Sequence, residues 1–232
     1  MTRVAVFASG NGSTLQAILD AFRPPADAPP TADAPVTVAL VVSNSPAAYA
    51  LERARLAGVA AIAVDHRGRS REEFEADLAA AVDAHRIDLI CLAGFMRILT
   101  SAFVNRFPGR ILNTHPAMLP AFGGKGMYGE HVHRAVLDSG VPVTGCTVHV
   151  VDEVTDGGPI VGQAAVPVLE GDTPETLAAR VQSAERRLYP EIIRWWAAGR
   201  VELDGRRIML HPLLPTPDPS GATTRSPETV QT

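Results

Sequence analysis

Val4-Ala5-Val6-Phe7-Ala8 is a short apolar run that breaks at Ser9-Gly10-Asn11-Gly12-Ser13, and after the break Leu15, Ile18, Leu19 and Phe22 recur at helical spacing. The same succession repeats along the first half of the chain. Val36 to Val42 precedes a helical stretch that closes at Arg55 to Gly58. Ala60 to Val64 precedes one in which Phe74, Leu78 and Val82 return every four residues, and Ile87 to Ala93 precedes another from Thr100 towards Phe107. Strands alternating with helices build a parallel sheet with crossover helices, and few other folds accept that pattern. Arg110 to Asn113 supplies a fifth strand, and Val141 to Val151 and Pro159 to Val168 supply two more. The connection between these last two is short, so they are expected to be antiparallel neighbours. The pattern predicts one doubly wound, Rossmann-like α/β domain, mainly parallel with an antiparallel carboxyl-terminal part. Ligands of such sheets sit at the carboxyl ends of the strands.

Local signals mark the ends of the elements. Ser13 with Gln16, and Ser70 with Glu73, fit the capping-box pattern, and Ser43-Asn44-Ser45-Pro46 reads as the cap of the second helix. Thr173-Pro174 reads as N-cap and first residue of a long helix with Leu177, Val181, Leu188, Ile192 and Trp195 on its core face. Pro190 is expected to kink that helix and Gly199 to end it. Val201 to Leu210 reads as a hairpin around Asp204-Gly205. Arg23 to Pro35 is expected to be an irregular connection and residues 211–232 a disordered tail, so the folded domain runs from 1 to 210.

Among the 232 residues, 46% are hydrophobic and 20% charged, an ordinary globular balance. A net charge of -4, with Lys125 as the only lysine, gives no support to a nucleic-acid or membrane-surface role. No apolar run approaches the roughly 20 residues of a membrane span, and the first apolar run is too short for a signal peptide, so a cytoplasmic protein is expected. Cys91 and Cys146 lie in apolar runs and are expected to be buried thiols.

Three stretches carry chemistry. The Ser9 to Ser13 turn, opening a helix, offers free backbone N–H groups and the positive end of a helix dipole, which is a phosphate seat. It lacks the third glycine of a dinucleotide fingerprint, because Leu15 stands there, and it is no Walker A loop. No acidic residue ends the second strand to grip a ribose of a nicotinamide cofactor. Gly94 to Leu99 places apolar residues around Arg97 in a loop, either a lid over the core or a wall for a flat, partly apolar ligand. Ile111-Leu112-Asn113-Thr114-His115-Pro116 ends a strand on two polar side chains that point the same way, since alternate residues share a face. Pro116 is expected to take the chain out of its strand where the histidine is displayed. His131 and His133, two apart on a helix, diverge and do not make a metal pair. Gln182 and Glu185, three apart on a helix, share a face.

Taken together, Ser9-Gly10-Asn11-Gly12-Ser13, Leu92 to Leu99, Leu112 to Pro116 with Leu119-Pro120, and Asp156-Gly157-Gly158-Pro159 resemble the phosphoribosylglycinamide formyltransferases, a folate-dependent formyltransferase family of purine synthesis. The resemblance spans about Arg3 to Arg207. It implies transfer of the formyl group of 10-formyltetrahydrofolate, a co-substrate, to glycinamide ribonucleotide, with no metal. The implied catalytic residues are Asn113, His115 and Asp156. The ribonucleotide is implied at Gly12, Ser13, Thr14, Gln182 and Glu185. The folate is implied at Arg71, Met96, Arg97, Ile98, Leu99 and Asn113 and along Asp152, Glu153, Val154, Thr155 and Asp156. The phosphate-binding half would end near 108 and the catalytic and folate half would run from about 109 to 210. The expected state is monomer or homodimer. Many relatives carry Asn where this chain has Thr14, which alters a side-chain contact to the phosphate and leaves the backbone donors. The Gly123 to Gly129 loop around Lys125 has no assigned role.

Three rivals use the same chemistry or the same ligands. A formyltetrahydrofolate deformylase would hydrolyse the donor and usually carries a regulatory domain upstream. A methionyl-tRNA formyltransferase needs a further nucleic-acid-binding domain, for which the stretch after Leu213 is short and poor in basic residues. A non-catalytic folate or sugar-phosphate binder would not need Asn113, His115 and Asp156 together.

Overall fold

The computed structural model describes residues 1–23 and 36–211. The alternating pattern becomes β1 (Thr2–Phe7), α1 (Ser13–Ala21), β2 (Val36–Ser43), α2 (Tyr49–Leu56), β3 (Ala60–Ala63), α3 (Arg71–Ala84), β4 (Leu89–Leu92), α4 (Ser101–Arg106) and β5 (Ile111–His115). Then come α5 (Glu130–Ser139), β6 (Val143–Val150), β7 (Ile160–Pro167), α6 (Pro174–Ala197), β8 (Val201–Asp204) and β9 (Arg207–Leu210). The first seven strands form one sheet in the order β3-β2-β1-β4-β5-β6-β7. Strands β1 to β5 are parallel, whereas β5 with β6 and β6 with β7 are antiparallel. The strand order turns back between β1 and β4, the place where a doubly wound sheet opens its crevice.

Both faces of the sheet are buried, which is why its strands read as continuous apolar runs. Along β1, Val4 and Val6 join the core under α1, α5 and α6, while Ala5 and Phe7 join the core under α3 and α4. Tyr189 of α6 is fully buried and its hydroxyl donates to Leu92 O at 3.2 Å and Leu112 O at 3.0 Å. That contact fixes α6 against the ends of β4 and β5.

The capping box at Ser70 and Glu73 and the Thr173-Pro174 start are present. Two other expected caps are corrected. The N-cap of α1 is Gly12, in left-handed geometry, with no side-chain cap. Gln16 instead accepts from Arg53 and donates to Asp20, so local pattern lost to a tertiary partner. Helix α2 starts at Tyr49 behind Ala48 rather than at Ser43 to Pro46, because Ser43 belongs to β2 and its hydroxyl accepts from Ser45 N. Helix α6 runs as one element through Pro190. Strand β5 reaches His115 instead of ending at Asn113, since Thr114 and His115 pair with Val148 and Thr147 of β6. The hairpin of β8 and β9 forms as expected, and both cysteines are free and buried. His211, the first residue of the expected tail, bonds Arg200 O and Glu202; 24–35 and 212–232 lie outside the described residues.

Candidate active site

The glycine turn after β1 has a backbone that only glycine fits. Gly12 sits at φ +75°, and a Cβ there would meet Ala50 Cβ at 3.0 Å. Arg53 braces the turn from α2, donating to Asn11 O at 2.7 Å, Asn11 Oδ1 at 3.0 Å and Gln16 Oε1 at 3.0 Å. With no side chain capping α1, the N–H groups at its start are left to a ligand, and an anion suits them. Of the implied ribonucleotide residues, Thr14 and Glu185 meet directly: Thr14 Oγ1 donates to Glu185 Oε1 at 2.5 Å inside the protein. Burial raises the Glu185 pKa, and the Thr14 hydroxyl opposes that rise. Gln182, one turn earlier on α6, is exposed.

Ser9 couples this turn to the next loop, donating to Asn44 Oδ1 at 2.6 Å and accepting from Met96 N at 2.7 Å. Phe95 packs edge-on against Phe7 with ring centroids 5.4 Å apart, which sends Met96 and Ile98 outward. These two and Val154 are exposed large apolar side chains at 57%, 60% and 61%. Arg71 opens α3, and Glu75, one turn on, accepts from Thr100 N at 2.7 Å, so the start of α3 lies at the end of the segment that follows β4.

Asn113 and His115 share a face of β5 as expected, and Asp156 reaches them from the β6–β7 connection, which folds back over the sheet. Asp156 Oδ2 lies 3.4 Å from His115 Nδ1, with both side chains nearly buried. Asp156 takes φ +56°, a left-handed conformation that Asp tolerates better than most residues. The glycines behind it are sterically required, since a Cβ at Gly157 would meet Val154 Cγ1 at 2.6 Å and one at Gly158 would meet Val150 O at 1.8 Å. His115 Nε2 donates to Phe122 O at 2.8 Å, and Gly124 N donates to Asp156 Oδ2 at 2.9 Å. Both nitrogens of His115 therefore face oxygen acceptors. The Gly123 to Gly129 loop, unassigned from sequence, touches Asp156 through Gly124; Lys125 within it is exposed.

His149 is the residue that sequence reasoning missed. It stands opposite Asn113 in the antiparallel ladder, and its ring is buried. Its Nδ1 lies 3.0 Å from Val150 O, which can only accept, so the proton sits on Nδ1 and Nε2 presents a lone pair. Asn113 Nδ2 donates to that lone pair at 3.2 Å, and Asp156 Oδ1 lies 3.7 Å away. Burial lowers the His149 pKa, against the opposing pull of the Val150 carbonyl and Asp156, so the ring stays a neutral acceptor. The one signal was its place on an apolar strand whose partner strand carries Asn113.

On α5, His131 is exposed and His133 buried, so the pair diverges as expected. Burial and the neighbouring His115 lower the His133 pKa, and its Nδ1 has no partner among the described residues. Among those residues no group of three His, Cys, Asp or Glu could hold a metal, and no helix is long and apolar enough to cross a membrane.

The chain matches the formyl transferase family over residues 2–193. It is 42% identical over 217 residues to phosphoribosylglycinamide formyltransferase of Escherichia coli, covering 88% of this chain and 95% of that protein. It is also 42% identical over 202 residues to the trifunctional purine biosynthetic protein adenosine-3 of Bos taurus. That match covers 87% of this chain and spans only 19% of the bovine protein's length. The crystal structure of glycinamide ribonucleotide transformylase 1 from Symbiobacterium toebii superimposes with a TM-score of 0.81 at 47% identity, covering 90% of this chain and 94% of that one.

Proposed function

The chain belongs to the formyl transferase family, and we propose that it transfers the formyl group of 10-formyltetrahydrofolate to the amine of glycinamide ribonucleotide. The observation that supports the reading most is the convergence of Asn113, His115 and Asp156, from two separate segments, on the sheet edge that also carries the open start of α1. The phosphate of the ribonucleotide sits on the N–H groups of Gly12, Ser13 and Thr14, and Gln182 and Glu185 take its ribose and glycinamide end. The folate lies along Met96 to Leu99 and Asp152 to Asp156, with its tail towards Arg71.

The amine attacks the formyl carbon, the C–N bond forms, and the formyl oxygen gathers negative charge in a tetrahedral species. Two N–H donors meet that charge. Asn113 uses the amide hydrogen not given to His149. His115 donates through Nε2, exchanging Phe122 O for the substrate oxygen, while Asp156 holds Nδ1. The amine's proton is passed to the folate nitrogen as its bond to the formyl carbon breaks, with His115 as the acid. Water is held off by the Gly123 to Gly129 loop. The half up to about 108 serves the phosphate, the half from about 109 to 210 serves catalysis and folate, and the enzyme works in the cytoplasm on two small substrates.

The test is to incubate the protein with 10-formyltetrahydrofolate, with and without glycinamide ribonucleotide, and follow tetrahydrofolate release. Release only with the ribonucleotide supports the proposal. Equal release without it indicates the hydrolase, and none in either case indicates a binding protein.

A further inference from the structure

We propose that Thr14 is a positioning residue: its hydroxyl holds the Glu185 carboxylate in place, joining the phosphate seat on α1 to the ribose-binding end of the site on α6. The proposal rests on the ribonucleotide reading above and assigns to Thr14 a task other than a side-chain contact to the phosphate. Thr14 is the second residue of α1, and its side chain reaches across 171 positions of sequence to bond at 2.5 Å. A carboxylate only accepts, so the hydroxyl hydrogen is committed to Glu185 and cannot also be given to a phosphate oxygen. Thr14 is 7% exposed and Glu185 is 8% exposed, so this carboxylate depends on a protein donor for its charge.

The environment of Glu185 marks it as prepared for a ligand. Thr114 Oγ1, at the end of β5, is buried and has no hydrogen-bond partner among the described residues, yet it lies close enough to help hold the Glu185 pKa down. Arg186 on its own helix also draws the Glu185 pKa down, and the carboxylate in turn raises the pKa values of Tyr189, one turn on, and Cys146 of β6. Thr14 takes Oε1, and Oε2 remains for a ribose hydroxyl or the amine of the substrate. The backbone N–H of Thr14 faces the phosphate while its side chain fixes the other end of the same molecule, so one residue sets the spacing between them.

The experiment uses the full chain and its Thr14→Val and Thr14→Ser variants, with inorganic phosphate and ribose 5-phosphate as the binding probes and the ribonucleotide as substrate. Valine keeps the shape and removes the hydroxyl; serine restores it. In Thr14→Val the Kd for ribose 5-phosphate and the KM for the ribonucleotide should rise roughly ten- to hundredfold, the worth of one charge-assisted hydrogen bond. The Kd for inorganic phosphate should change less than about twofold, because the backbone seat is intact. Losing the donor also favours the protonated carboxyl, so the defect should shrink as pH rises, and Thr14→Ser should follow the wild-type profile. A proportional loss of inorganic phosphate binding would return the hydroxyl to the phosphate and overturn the proposal. So would unchanged binding of all ligands in Thr14→Val. If the wild-type chain turns over no ribonucleotide, the functional reading fails, and the two phosphate probes still decide the role of Thr14.

Discussion

Removing the acceptor behind Asn113 should cost less than removing Asn113 itself, and the two losses should not add. In the structure Asn113 Nδ2 gives one hydrogen to His149 Nε2 at 3.2 Å, and the other is the one that the proposed mechanism gives to the formyl oxygen. Asn113→Ala deletes an oxyanion donor, a loss of about 10²–10³ in kcat. His149→Phe keeps a ring in the same space but supplies no lone pair, so the amide keeps its donors and loses its orientation. The orienting bond is worth about 0.5–1.5 kcal/mol, and its loss should lower kcat by up to roughly tenfold. In the double variant there is no amide left to orient, so kcat should match Asn113→Ala within about twofold. The assay is steady-state tetrahydrofolate release at saturating substrates, with thermal unfolding to check that each variant is folded. Additive losses in the double variant, or full activity in His149→Phe, would refute the orienting role.

Other consequences follow from the same geometry. Gly12→Ala places a Cβ 3.0 Å from Ala50 at φ +75°, so it should destabilise the fold by about 1–2 kcal/mol in chemical denaturation and raise the ribonucleotide KM. His133 and His149 have pKa values held down by burial. For such groups the unfolded chain binds protons first, so folding stability falls as pH drops below the unfolded value of about 6.5. The fall should reach about 1.4 kcal/mol per pH unit for each of the two, and denaturant titrations from pH 7.5 to 5 measure it. Glu185 works in the opposite sense, because burial raises its pKa and its stabilising share is lost as pH rises above about 4.5. Ser70→Ala removes a capping box far from the reacting atoms and should cost about 1 kcal/mol without changing kcat.

The sheet was legible because each of β1, β2 and β4 is an unbroken apolar run followed by a turn and a periodic helix, and the alternation admits one arrangement. Local capping patterns were less reliable. Ser13 and Gln16 match a capping box in sequence, but Arg53 from another helix captures Gln16 and leaves Gly12 as the cap. The pairing of β5 with β6 carries the strand past Asn113 to His115, where Pro116 was expected to release the chain. Asn113 and His115 were visible as a polar pair closing an apolar strand. The placement of Asp156 followed from resemblance, and its left-handed backbone and glycine neighbours explain that motif only once the folded-back loop is seen. His149 was invisible, since an isolated histidine in a β-prone run reads as core until its ladder partner is known. The commitment of the Thr14 hydroxyl to Glu185 was hidden for the same reason: the two residues are adjacent only in space.

The central claim is direct passage of the formyl carbon from folate to amine over Asn113 and His115. Donor labelled with 13C in the formyl group, mixed with the enzyme and glycinamide ribonucleotide and followed by NMR, tests it most directly. The label should move to the formylated ribonucleotide without passing through free formate, and His115→Ala should slow the transfer by at least about 10². Label accumulating as formate, or a His115→Ala rate near that of the wild type, would contradict it.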